Sequence, residues 1–142
     1  MAAYTQNITA VSIEEQLLLI SNTIDRKVLK DIVDLIITEF AAMETAGLAS
    51  YTVTTGLEAS MVQRLDNYGD NTKVLMLEDF IGMLLVEFAS VETDGLSFTQ
   101  TSGWQVSMKL NVDNFPNVID RICLHEVIGL LNAEFVLLVA AS

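Results

Sequence analysis

The chain has 142 residues, 19 acidic against 7 basic side chains, a formal net charge of −12, and 51 % hydrophobic against 18 % charged residues. So apolar a composition excludes a disordered acidic tail, and the absence of any Lys/Arg cluster able to neutralise a phosphate track excludes a nucleic-acid partner. The lone Cys123 excludes an internal disulfide, and the length fits one domain that buries roughly two thirds of its unfolded surface.

One unit of about 47 residues is written three times, at 1–47, 48–95 and 96–142. Asn22, Ile24, Asp25, Arg26 and Leu29 return as Asn117, Ile119, Asp120, Arg121 and Leu124. Ile81, Gly82, Leu84, Glu87 and Phe88 return as Ile128, Gly129, Leu131, Glu134 and Phe135. Glu39-Phe40-Ala41 and Gly47-Leu48 return as Glu87-Phe88-Ala89 and Gly95-Leu96. Without Pro- or Gly-rich linkers between them, the units read as parts of one body, each needing its neighbours to cover its apolar face.

The N-terminus, Met1-Ala2-Ala3, has neither a basic nor an apolar signal region, so a cytoplasmic location is expected (host cytoplasm or virion, if the source is viral) and the Asn7-Ile8-Thr9 sequon reads as coincidence. Each unit then opens with a Thr-rich aromatic segment: Tyr4-Thr5-Gln6, Tyr51-Thr52-Val53 and Phe98-Thr99-Gln100. That chemistry predicts a strand. A turn follows, clearest at Thr55-Gly56 and Ser102-Gly103, and then a second segment. In the third unit Val106, Met108, Leu110 and Val112 alternate with polar residues, the period of a half-buried strand. In the first two units Ser12-x-x-Glu15 and Ser60-x-x-Gln63 also fit capping boxes of short helices. The hairpin is preferred in all three because homologous units share a fold.

A long helix closes each unit. Asn22, Asp70 and Asn117 are the expected N-caps. Leu29, Val33, Ile36 and Phe40 form an apolar stripe that recurs as Leu77, Ile81, Leu84 and Phe88, and as Leu124, Ile128, Leu131 and Phe135. Gly47 and Gly95 are placed to end the first two helices. Gly82 and Gly129, equivalent mid-helix positions, point to a close backbone approach or to shared ancestry. The third helix runs instead through Val136-Leu137-Leu138-Val139, which either closes the core against the first unit or docks on another subunit. No run reaches the length of a membrane span, and no membrane partner is expected. The expected fold is α+β: three ββα units in two layers, sheet on one side and helices on the other, closed around a pseudo-threefold axis. An all-α repeat is the alternative.

Catalytic motifs are missing, and His125-Glu126 lacks the second His of a zinc-protease helix. His125 reads as helix surface and Cys123 as a small core residue. The candidate polar constellation is Glu39, Glu87 and Glu134, each followed by Phe. Convergence on a threefold axis would make them a carboxylate ring able to hold a divalent cation, whereas separate helix edges would keep them apart. Trp104, at the expected turn of the third unit, is a candidate interface anchor or a ring folded back on the sheet. No cofactor is implied. The chain is expected to be no enzyme but a structural or assembly protein, a small acidic subunit of a larger particle such as a viral capsid or tail, homo-oligomeric or bound to protein partners. The alternative is an acidic mimic of a polyanion that inhibits a basic nucleic-acid-binding protein through Glu58, Asp66, Asp70, Glu78 and Asp79. An enzyme or ligand-binder with a pocket between units ranks last.

Overall fold

A computed structural model describes residues 4–7, 10–20, 22–68, 71–113, 115 and 117–141. Among them every regular element is helical, and each unit consists of an extended segment, a short helix and a long helix. The short helices are α1 (Ala10–Leu17), α3 (Leu57–Arg64) and α5 (Trp104–Val112). The long ones are α2 (Thr23–Ala46), α4 (Asn71–Asp94) and α6 (Val118–Ala141), each of 24 residues.

The α+β expectation and its sheet-faced threefold are therefore overturned: no strand occurs among the described residues. The physical reason is clearest in α5. Positions two apart include positions four apart, so a period-2 string also contains a helical stripe. Met108 and Val112, together with Trp104, are the buried stripe of α5, whereas Val106 and Leu110 are each 63 % exposed. The expected hairpin turns are helix starts: Gly56 and Gly103 stand at φ +77° and +74° immediately before α3 and α5. Ser60 lies inside α3, and Ser12 inside α1, so neither opens its helix.

The long helices begin as the sequence demands. Asn22 accepts from the N–H groups of Ile24 and Asp25 (3.0 and 3.1 Å), and Asn117 from those of Ile119 and Asp120 (2.9 and 3.1 Å). Asp70 and Pro116 lie outside the described residues. Arg26 then reaches back to the carbonyls of Leu18 and Ile20, and Arg121 to those of Asp113 and Phe115, tying each long helix to the short one before it. Gly47 ends α2 at φ +79° with its N–H on Met43 O at 3.0 Å. Gly82 has nothing within 4 Å of the place a Cβ would take, and Gly129 only Gln105 Nε2 at 4.0 Å, so no backbone approaches either.

Leu29, Leu77 and Leu124 line one small apolar space, and Phe40, Phe88 and Phe135 meet with centroids 5.3, 5.3 and 5.7 Å apart. These two levels are about 16 Å apart along each helix, so α2, α4 and α6 run parallel and in register. Each short helix runs back along the groove between two long ones: α1 on α6 and α2, α3 on α2 and α4, α5 on α4 and α6. The order is cyclic, and one continuous core results.

The three Phe rings are fully buried in that core, and a truncation there leaves a cavity its neighbours cannot fill. Phe88→Ala is expected to lower the unfolding free energy by about 3–5 kcal/mol in urea titrations followed by far-UV circular dichroism. Val86→Ala, two residues away but 63 % exposed, is expected to shift it by no more than about 0.5 kcal/mol.

Candidate functional site

The three repeated carboxylates do not form a ring. Glu39, Glu87 and Glu134 are buried, at 1 %, 0 % and 1 % exposure, and each is filled by the extended segment of the following unit. Glu39 on α2 accepts from the Tyr51 hydroxyl, the Thr54 N–H (3.0 Å) and the Thr54 hydroxyl (2.6 Å). Glu87 on α4 accepts from the N–H and hydroxyl of Thr101 at 2.8 and 2.6 Å. Glu134 on α6 accepts from the Tyr4 hydroxyl at 3.0 Å and the Asn7 N–H at 2.9 Å. The last unit thus holds the first, closing the ring without a covalent link.

Each segment is also tied to its own long helix. The Gln6 N–H donates to Glu44, the Val53 N–H to Glu92 at 2.6 Å, and the Gln100 side-chain amide to Asn132 at 2.6 Å. Backbone donors that the strand reading assigned to a sheet are satisfied by helix carboxylates. It is the Phe after each Glu, not the Glu, that reaches the axis. Among the described residues no group of three His, Cys, Asp or Glu is placed to hold a metal ion.

Burial, and next the facing carboxylate Glu134, pushes the Tyr4 phenol far above its ordinary range; burial and the hydrogen bond to Glu39 do the same to Tyr51. Burial, then Asp120, raises the Cys123 thiol, which is a core group at 1 % exposure. His125 sits beside Asp113 on the surface, Nε2 to Oδ1 2.8 Å.

A polar layer at the opposite end of the bundle escaped the sequence analysis. Asp25, Lys73 and Asp120 occupy the equivalent position one turn before the axial leucines. Lys73 Nζ lies 3.7 Å from Asp120 Oδ2, and Oδ1 of both aspartates is buried without a hydrogen-bond partner. Aligning the three units shows the substitution of Lys for Asp.

The candidate interface residues divide. Trp104 is 5 % exposed, its ring 5.0 Å from that of Phe135 and its N–H on Met83 O at 3.4 Å, so it is a core residue and not a surface anchor. Leu138 is buried, while Val136, Leu137 and Val139 are 51, 38 and 37 % exposed. α6 is in fact long and apolar enough to cross a membrane, with mean hydropathy 1.9, correcting the expectation that no run is; yet 44 % of that window is buried in the bundle.

Two outcomes test the Glu slots. Glu134→Gln keeps the volume but sets an amide NH₂ against a donor, and is expected to cost about 2–3 kcal/mol and to speed hydrogen exchange at Asn7. The raised phenols fix the sign of the alkaline limb. In the fold Tyr4 and Tyr51 hold their protons, whereas in the unfolded chain they ionise near 10.0 and Cys123 near 9.0. Their contribution is therefore complete below these values and lost as pH rises through and above them. The urea midpoint is expected to fall above about pH 9, and less steeply with Tyr4→Phe and Tyr51→Phe combined.

Compared with known protein families, curated proteins and solved structures, the chain matches none.

Proposed function

We propose that the chain is a non-catalytic assembly protein that works by presenting surface. The observation that supports this most is the difference between three equivalent outer helix faces. Ala41 and Ala89 correspond to Val136, Ala42 and Ser90 to Leu137, and Lys27 and Leu75 to Ile122. The same scaffold position folds with small or polar residues in the first unit, so the fold does not require apolar ones in the third. Among the described residues, nine of the fourteen large hydrophobic residues that stand exposed belong to that third unit. Meanwhile the groups with chemical potential have structural occupations: the three Glu hold the segments and Cys123 fills core.

The assembly proposed is of this chain with itself. The placement in a viral particle is drawn by analogy from a pseudo-trimeric shape, with Thr-rich strands as one support; those segments form no strand among the described residues, and self-assembly does not depend on that placement. The polyanion-mimic reading retains one support, since Glu58, Asp66, Glu78 and Asp79 are all exposed around the second unit.

Native mass by light scattering at low and high salt separates the two. A discrete oligomer that persists at high salt is expected, because apolar burial is not screened as surface ion pairs are. A monomer at both salts would end the self-assembly reading and send the search to a basic partner.

A further inference from the structure

Resting on the assembly reading, we propose that α6 is the dimer contact, pairing antiparallel with α6 of a second copy about a twofold axis at Gly129. The outer face of α6 spans Val118, Ile119, Ile122, Gly129, Val136 and Leu137, within about 100° of arc at 100° per residue. The five large side chains are between 38 and 55 % exposed. Glu126 is the one ionisable residue on that face.

The spacing along the face is palindromic. Ile122 and Val136 stand seven residues either side of Gly129, and Val118 and Ala140 stand eleven. A twofold contact brings each residue against its mirror position, so it must be self-complementary. Antiparallel pairing centred on Gly129 sets Ile122 on Val136 and Val118 on Ala140 at both ends. Parallel pairing would lay the two Glu126 side chains side by side. Antiparallel pairing separates them by about 9 Å along the axis. At the centre, Gly129 offers no side chain, and the nearest atom to its missing Cβ is Gln105 Nε2 at 4.0 Å, so two helices can approach closely there.

Area and charge favour a second copy as the occupant. The five side chains expose together roughly 450 Å², so pairing removes about 900 Å² of apolar surface before the small residues and helix rims add to it, close to the about 1,000 Å² a stable interface needs. The third unit carries only −2 of the −12 charge, so contact through α6 keeps the acidic units of both copies apart. A membrane-surface helix would instead carry Lys and Arg along its polar rim, and α6 has Arg121 alone.

The test uses the full chain. Ile122→Cys and Val136→Cys proteins are mixed and oxidised; Cys123, at 1 % exposure, stays silent. Mixed cross-links are expected to exceed both homodimeric products severalfold. Ile122→Glu is expected to halve the native mass, while Leu75→Glu, the equivalent position on α4, leaves it unchanged; circular dichroism checks that both fold. An oligomer indifferent to Ile122→Glu, or cross-links mainly between like chains, overturns this contact but leaves assembly standing. A wild-type monomer overturns both, and a monomer that floats with phosphatidylcholine vesicles through α6 assigns the face to a membrane instead.

Discussion

The structure depends on carboxylates that are buried but not idle. Glu39, Glu87 and Glu134 lose their hydration almost completely, a cost of several kcal/mol per charge unless hydrogen bonds replace the water. The donors come from the next unit's extended segment, so each charge is tolerable only when two units meet in one register. Apolar packing between parallel helices would accept slippage by a turn; a buried acid with fixed donors does not. The three slots therefore specify the order of the ring as well as helping to hold it. The slot at Glu134 joins the third unit to the first, whose segment no peptide link connects directly to α6.

A second polar layer makes the units non-interchangeable. A trimer of first units would gather three aspartates at the position of Asp25, and one of second units three lysines at that of Lys73. The covalent chain has two Asp and one Lys there, and the Lys73–Asp120 pair, 15 and 8 % exposed, relieves part of the burial. The unpartnered Oδ1 atoms sit near the positive ends of their helices, where a negative charge is least costly. Repetition supplies the frame, and departures from it distinguish each unit.

How much of this the sequence discloses follows from the kind of signal each element leaves. The long helices have three-turn stripes, α2 and α6 have Asn caps, and a pattern that long admits one period. α5 has nine residues, too few to separate period 2 from i, i+4 spacing, and the homology of the units extends that ambiguity to all three. The Tyr- and Thr-rich segments are extended as their β-branched chemistry favours, but they pair with side chains, and no local pattern announces a partner that is distant in sequence. The link between Glu39 and Thr54, or Glu134 and Tyr4, was nonetheless visible as two motifs recurring with one period. What was lacking was a reason to connect the Glu of one unit to the segment of the next. Trp104 illustrates the converse: at a turn it would be an anchor, but as the first residue of a helix it falls on the Phe triad.

Ring closure also constrains where function can lie. Open helical repeats bind along the concave surface their stacking creates, and that surface exists because the junctions between units are left partly uncovered. Here each junction is filled by a short helix and an extended segment, and the axis is filled by aromatic rings 5.3 to 5.7 Å apart. The outer faces of the long helices remain, three equivalent ridges between short helices. The first two ridges carry mostly small and polar residues, with Ile24 on α2 and Leu75 and Val86 on α4 as the exposed large apolar side chains. The third has kept large apolar side chains exposed to water, at a cost in solubility that folding does not return. The proposed contact between copies would cover that face.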